Sequence, residues 1–380
     1  MKTINKPFTI ADALGLSYIG NQADNAGITE NGNYDISSSF KIALGNGNND
    51  AIISNGSGNI NNNHISFGSG YGDQITVSNG SLSRNYINFG NGDYDQIGAG
   101  WSGSIMGNNI TFGSGSHDEI YSTNVIANNA IKFGNGNEDG VYFYHGILSN
   151  NSVSFGNGSS DYIFTEDGQI INNIITFGNS QSNVSTYSGL ISNNKISFGG
   201  GANFLVSFLG SVNNNWVSFG DGAGNYVVCN GGGSGNTITF GDGGQDLIST
   251  WGNLCNNKIT LGNGNGDSIS ASGYGGNNII NIGSGIGDVI DVSTNDKITV
   301  GVGGSDTFLF KQSQGSIGNV SITHFNDAND QIVLRNMFTD GFSASFSHGN
   351  TVISDGAGDS ITLIGVHAVD NLLSYFSSSY

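Results

Sequence analysis

The chain has 380 residues, of which 63 are glycine and one is proline, and only 10% are charged. Glycine is more than twice its usual share but lacks the period and proline of collagen, while Phe, Tyr, Ile and Val recur too often for a disordered chain. Ten Lys plus Arg against 29 Asp plus Glu give a net charge of −19, which repels phosphate backbones and anionic lipid and so excludes nucleic-acid and membrane-surface roles.

Residues 1–30 lack the basic start and apolar core of a cleavable signal peptide, and no apolar run is long enough to span a bilayer. The expectation is a chain without membrane insertion and without a cleaved N-terminal signal. Residues 1–40, with an amphipathic segment from Ile10 to Tyr18, are the expected N-terminal cap of a repeat region that begins at residue 41.

In that region a single unit recurs. An apolar anchor followed by Gly stands at Leu44, Phe67, Phe89, Phe112, Phe133, Phe155, Phe177, Phe198, Phe219, Phe240, Leu261, Ile282 and Val300, thirteen copies at steps of 18 to 23 residues. Two before the anchor stands Ile or Val. Four before it stands Asn at Asn63, Asn85, Asn108, Asn129, Asn151, Asn173, Asn194, Asn215, Asn236, Asn257 and Asn278. Six after it stands Asp at Asp50, Asp73, Asp95, Asp118, Asp139, Asp161, Asp246, Asp267, Asp288 and Asp306. Asn183 and Asn225 replace that Asp in two units, and Asn203 does so in a unit one residue short.

The alternation around Asn-x-Ile-x-Phe is that of a half-buried strand, and Gly-x-Gly ends it in a turn. A second strand is expected from Ile52, Ile75 and their equivalents, and a third from Ile60, Leu82 and theirs. Short strands returning at a period of 21–23 residues predict an all-β fold, a parallel β-helix of about 13 coils over residues 41–305. Residues 306–380 are expected to form a C-terminal β cap and secretion-signal region. Asn facing inward at a corner, coil upon coil, predicts a structural ladder of amides bonding one another. Cys229 and Cys255 occupy different places in the coil, so two free thiols are expected.

The turn G-x-G-x-x-D-x-[IV], as in Gly68-Ser69-Gly70-Tyr71-Gly72-Asp73-Gln74-Ile75, resembles the glycine and aspartate repeat of RTX proteins on a wider coil. Gly303-Gly304-Ser305-Asp306-Thr307-Phe308, Ile322-Thr323-His324-Phe325 and Asp330-Gln331-Ile332-Val333-Leu334 are similar to the segment that closes the RTX roll of serralysin-type proteases. Gly349 to Ile353 and Ile361 to Val366 resemble the strands beyond that segment. The resemblance implies Ca²⁺ at the ten Asp turns and export through type I secretion machinery to the cell surface or exterior, with the signal near Leu372 to Tyr380.

The Asp column itself demands compensation. Carboxylates about 5 Å apart repel by roughly 3 kcal/mol per neighbouring pair at an effective dielectric near 20. Ca²⁺, protonation or rotation into water would relieve this, and the last is the least comfortable because Asp shares its face with an inward Ile. An enzyme acting on acidic polysaccharide, a lyase or epimerase, would use His117, Asp118, Glu119, Tyr121, Glu138, Asp139, Tyr142, His145, Glu166 and Asp167, but Asp118 and Asp139 are repeat positions and no nucleophile or metal motif is present. Tyr121, Tyr142 and Phe164 form one outward column, an expected interface or glycan patch. An ice-binding reading of the Ser and Thr before the anchor fails on the bulky neighbours His64, Tyr86 and Trp216. The expected function is therefore that of a secreted structural protein that self-assembles into a homopolymer as a filament, surface layer or biofilm matrix. An adhesin or glycan-binding module, with a cell-surface glycan as partner, is the alternative.

Overall fold

The computed structural model describes residues 41–311, 316–335, 343–355 and 358–367, with short pieces of the first forty residues. Among the described residues there are strands and turns and no helix. The chain divides into two compact units, residues 1–197 and 198–380, and each is built as a parallel β-solenoid.

In the first unit each coil runs through three strands, as its pattern of inward Ile and Val positions leads one to expect. The strand after the aspartate, from Gly27–Glu30 through Gln74–Val77 and Glu119–Ser122 to Ser182–Thr186, builds the aspartate sheet. A short middle sheet runs from Ile36–Ser37 to Leu190–Ser192. An asparagine sheet, from Lys41–Ala43 to Lys195–Ser197, precedes the glycine turn. Every pairing is parallel and in register, so Ile97, Ile120, Val141 and Ile163 meet one another and all are fully buried. Inward side chains at one position of successive coils must be near-identical to fill the same slice of core, and the anchors show it. Phe67, Phe89, Phe112, Phe133, Phe155 and Phe177 stack at 4.6–4.9 Å with ring planes 2–6° apart. Burial of each ring contributes about 2 kcal/mol before any stacking gain.

Two corners of the coil need left-handed backbone. The residue before the ladder Asn has positive φ at Asn62, Arg84, Gly107, Asn128, Asn150, Asn172 and Asn193, so the doubled Asn of the repeat has two separate causes. One Asn tolerates the bend and the next bonds the ladder. The residue before the Asp does the same at Asn49, Gly72, Tyr94, His117, Glu138 and Ser160.

The second unit repeats the plan with a shrinking coil. Phe198, Phe219 and Phe240 stack at 4.8–4.9 Å, then Leu261, Ile282 and Val300 take the anchor place. The middle sheet holds only Val212–Asn213, Gly233–Ser234 and Leu254–Cys255, and dwindles to single bridges at Gly276 and Thr294. Thr307–Lys311 and Gln331–Arg335 extend the aspartate sheet. The asparagine sheet gains Asn319–Thr323 and then Ser360–Ile364, still parallel, before Asn350–Ser354 and Ser343–Ser347 add as an antiparallel meander. Parallel coiling therefore ends in hairpin-connected strands within the segment expected as a C-terminal β region.

Of the first forty residues, Ser17–Ile19 pairs in parallel with Lys41–Ala43, while Ile10 to Leu16 lies outside the described residues, as do Leu372 to Tyr380.

Candidate functional site

Two polar columns run through the buried corners of each unit. In the asparagine column each residue is bonded along the stack. The N–H and side-chain amide of Asn129 both donate to Oδ1 of Asn151, at 2.9 and 3.0 Å, and the same amide reaches the carbonyl of Ile105 in the coil before, at 2.9 Å. The pattern holds from Asn63 to Asn194 in the first unit and from Asn215 to Asn278 in the second. Every donor and acceptor of an Asn side chain is spent, which is what allows a row of amides to be buried.

The aspartate column has the same geometry and lacks the donors. The N–H of Asp118 donates to Oδ1 of Asp139 at 3.0 Å, and the N–H of Asp139 donates to Oδ1 of Asp161 at 3.1 Å. Asp50 opens the row by donating to Asp73, and in the second unit the row runs from Asp246 through Asp267 and Asp288 to Asp306. All ten side chains are buried. In Asp73, Asp95, Asp118, Asp139, Asp161, Asp246, Asp267, Asp288 and Asp306 the second oxygen, Oδ2, is buried without a hydrogen-bond partner. Rotation into water, one of the three ways to relieve the row, is not what the side chains do.

Burial is the main reason these carboxyls lie above the usual carboxylate range. It pushes Asp95 up to about 9, Asp118 to about 8 and Asp139 to about 7, against the hydrogen bond from the preceding coil, with like-charged neighbours adding to the rise. Asp73, Asp246 and Asp306 rise to about 6, and Asp161 and Asp288 to about 7, for the same first cause.

Asn in an Asp place shows what faces the lone oxygen. In the second unit Asn203 and Asn225 stand in the column, and their amides donate to the carbonyls of Gly201 and Gly222, both at 2.6 Å. Oδ2 of an Asp in that slot meets a turn carbonyl, acceptor against acceptor. A methyl on Gly136 would collide with the carbonyl oxygen of Gly115 in the coil before and lie 2.9 Å from Oδ2 of Asp139, so the second glycine of the turn is required first by the close approach of successive coils. Asn183 is different from what its spacing suggests. It pairs in register with Tyr162 on the outer face, and Ser182, buried, takes the place opposite Asp161. The Phe177 turn is one residue short, which shifts the count.

Both columns end on an aspartate whose two oxygens are satisfied. Asp296 accepts from Asn278 through Oδ1 and from the N–H of Ser293 through Oδ2. Asp330 accepts from Asp306 and from Asn326 in the same way. Asp296 stands four before the anchor Val300, in the asparagine place of the repeat, whereas Asp330 lies beyond the last anchor.

For Ca²⁺ the fit rests on the orphaned oxygens. Among the described residues no three His, Cys, Asp or Glu side chains converge on one point, so a cation in this column would take Oδ2 together with turn carbonyls, hard oxygen donors of the kind Ca²⁺ accepts.

The aromatic column lies outside, on the aspartate sheet. Tyr121, Tyr142 and Phe164 are in register, and Tyr142 and Phe164 stack at 5.7 Å with planes 14° apart. Gly98 and Gly140 form the floor of this patch: the rings of Tyr121 and Tyr162 occupy the space a Cβ there would need. The hydroxyl of Tyr162 donates to Oε1 of Glu119 at 2.8 Å, and burial together with this carboxylate pushes the phenol well above its usual range. His117 pairs with Glu138 at 2.9 Å and His145 with Asp167 at 3.3 Å. The candidate acid and base groups are thus largely paired with one another. A shallow groove of about 410 Å³ lies elsewhere, on the asparagine sheet, between Lys41, the stacked His64 and Tyr86, and Asn109.

Cys229 is buried and Cys255 half-buried, and both are free thiols, as expected from their coil positions. Burial pushes the Cys229 thiol up to about 11.

No protein-family model matches the chain, and no curated protein matches it either.

Proposed function

We propose that the chain is a secreted extracellular structural protein that self-assembles into a filament, surface layer or biofilm matrix, exported by a type I system and stabilised by Ca²⁺ in its aspartate columns. The observation that carries this reading is the spending of buried polar groups on one repeated contact, Asn on Asn and Asp on Asp, from coil to coil. Such a body repeats the same strand-and-turn backbone at every coil, and repeated surfaces favour open assembly over closed. The resemblance to RTX turns and to the serralysin-type closing segment supports secretion and Ca²⁺. An adhesin would use Tyr121, Tyr142 and Phe164, but the Tyr142–Phe164 stack turns ring faces toward each other, leaving less face for a sugar to stack on.

Electron microscopy of the full chain, with Ca²⁺ and after chelation, at neutral and mildly acidic pH, tests the proposal. Ordered fibres or sheets that depend on Ca²⁺ are expected. Dispersed particles under every condition would refute self-assembly.

A further inference from the structure

Charge is segregated on the surface of the first unit. Between residues 41 and 197 the exposed lysines are Lys41, Lys132 and Lys195, and all three lie on the asparagine sheet, whose described strands contain no Asp or Glu. The carboxylates of the same stretch that reach solvent are Asp93, Glu119, Glu138, Glu166 and Asp167. They occupy the glycine turn, the aspartate sheet and the corner after it. In the second unit Lys258 and Lys297 stand on the asparagine sheet and Asp221 and Asp242 on the turn, but Lys311 and Arg335 end strands of the aspartate sheet, so the separation is that of the first unit. Lys41, Lys132, Lys258 and Lys297 form no ion pair among the described residues.

We infer that the asparagine-sheet face of one copy docks on the acidic turn and aspartate-sheet side of a second copy of this chain. The inference rests on the proposed self-assembly and specifies its lateral interface. Opposite charge on two different faces of one body makes a heterologous contact, which propagates without closing. Spacing favours a second copy over a free polyanion. The register from Lys132 through Ser154 and Thr176 ends at Ser197, two residues along the strand from Lys195, so the two lysines are three coils apart, about 14 Å along the stack at the strand spacing. Asp93 is likewise three coils from Glu166, since the anchors Phe89, Phe112, Phe133 and Phe155 count the same steps. The members of each set differ in their place within the coil, but along the stacking direction both sets are three coils apart, so a partner copy matches them in that direction at whole-coil shifts. A polyanion charged at every residue would meet a lysine only at wide intervals.

Two charge-reversed variants test the interface: Lys41→Glu with Lys132→Glu and Lys195→Glu, and Glu138→Lys with Glu166→Lys and Asp167→Lys. Each is first shown to melt cooperatively near the wild-type temperature. Light scattering and microscopy then follow assembly at low and high salt. Wild type is expected to assemble at low salt and less at high salt. Each variant alone is expected to stay dispersed, and an equimolar mixture of the two to assemble. Assembly of the lysine-reversed variant at the wild-type level, or a mixture that stays dispersed, would overturn the interface and leave self-assembly standing. Dispersed wild type would overturn both. Lysine-dependent binding of polygalacturonate by wild type that does not assemble would reassign the face to a polyanion.

Discussion

Asn225 gives both its backbone N–H and its side-chain amide to Oδ1 of Asp246, at 2.8 and 3.0 Å, while the same amide also bonds the carbonyl of Gly222. An Asn in the aspartate column thus does what a protonated Asp would do, and an ionised Asp cannot. The column is stable only when its charge is neutralised, by a proton or by a cation.

Substitution should expose this directly. Asp118→Asn supplies the missing donor at a site where the carboxyl is pushed up to about 8. In Ca²⁺-free protein at pH 8 the variant is expected to be more stable by about 1–3 kcal/mol, the cost of one unsatisfied buried polar atom. Chemical denaturation of both proteins measures it, and a less stable variant would count against a charged, unsatisfied column.

Stability should also depend on pH with a defined sign. These carboxyls have folded pKa values raised above the unfolded value of 3.8, to between about 6 and about 9. Their contribution is complete below about pH 4 and is lost as pH rises through the folded values. Thermal melts of chelated protein should therefore fall in Tm from pH 5 to pH 9, and Ca²⁺ should restore the loss at the upper end. A Tm that rises over that range would contradict the sign.

The asparagine column makes the opposite case, since nothing in it is left unsatisfied. Asn129→Ala removes the side-chain bonds to Ile105, Ala127 and Asn151 and strands the N–H of Asn108. It should cost about 2–4 kcal/mol at any pH between 5 and 9. Denaturation at the two ends of that range checks both the size and the absence of a pH term.

Gly140→Ala tests the floor of the aromatic patch. Its φ is ordinary, so the cost is steric: the new methyl takes the place of the Tyr162 ring and breaks the bond from its hydroxyl to Glu119. The expected outcome is a changed near-ultraviolet Tyr signal and a lowered Tyr162 titration, with little change in overall β content.

Much of this architecture is legible along the chain, because a coil that must stack on its copy repeats its inward residues at fixed steps. Ile120 and Val141, or Phe112 and Phe133, announce the parallel sheets by spacing alone. Spacing misleads where a turn changes length. Asn183 counts as a replacement in the aspartate column, yet one missing residue moves it outward and brings in Ser182. Asp296 closes the asparagine column four before the anchor Val300, where the repeat count reaches it, whereas Asp330 closes the aspartate column beyond the last anchor, so no step points to it. The state of the Oδ2 atoms is also invisible in the sequence, since it depends on which carbonyl faces the slot and on complete burial.

The most direct test of a neutralised aspartate column is infrared spectroscopy of the carboxyl groups in chelated protein at pH 7, compared with the same sample after Ca²⁺ is added. A carboxylic-acid carbonyl band that persists at pH 7, weakens in Asp95→Asn with Asp118→Asn, and disappears when Ca²⁺ binds is the expected result. A spectrum of fully ionised carboxylates at pH 7 without Ca²⁺, in protein that remains folded, would contradict it.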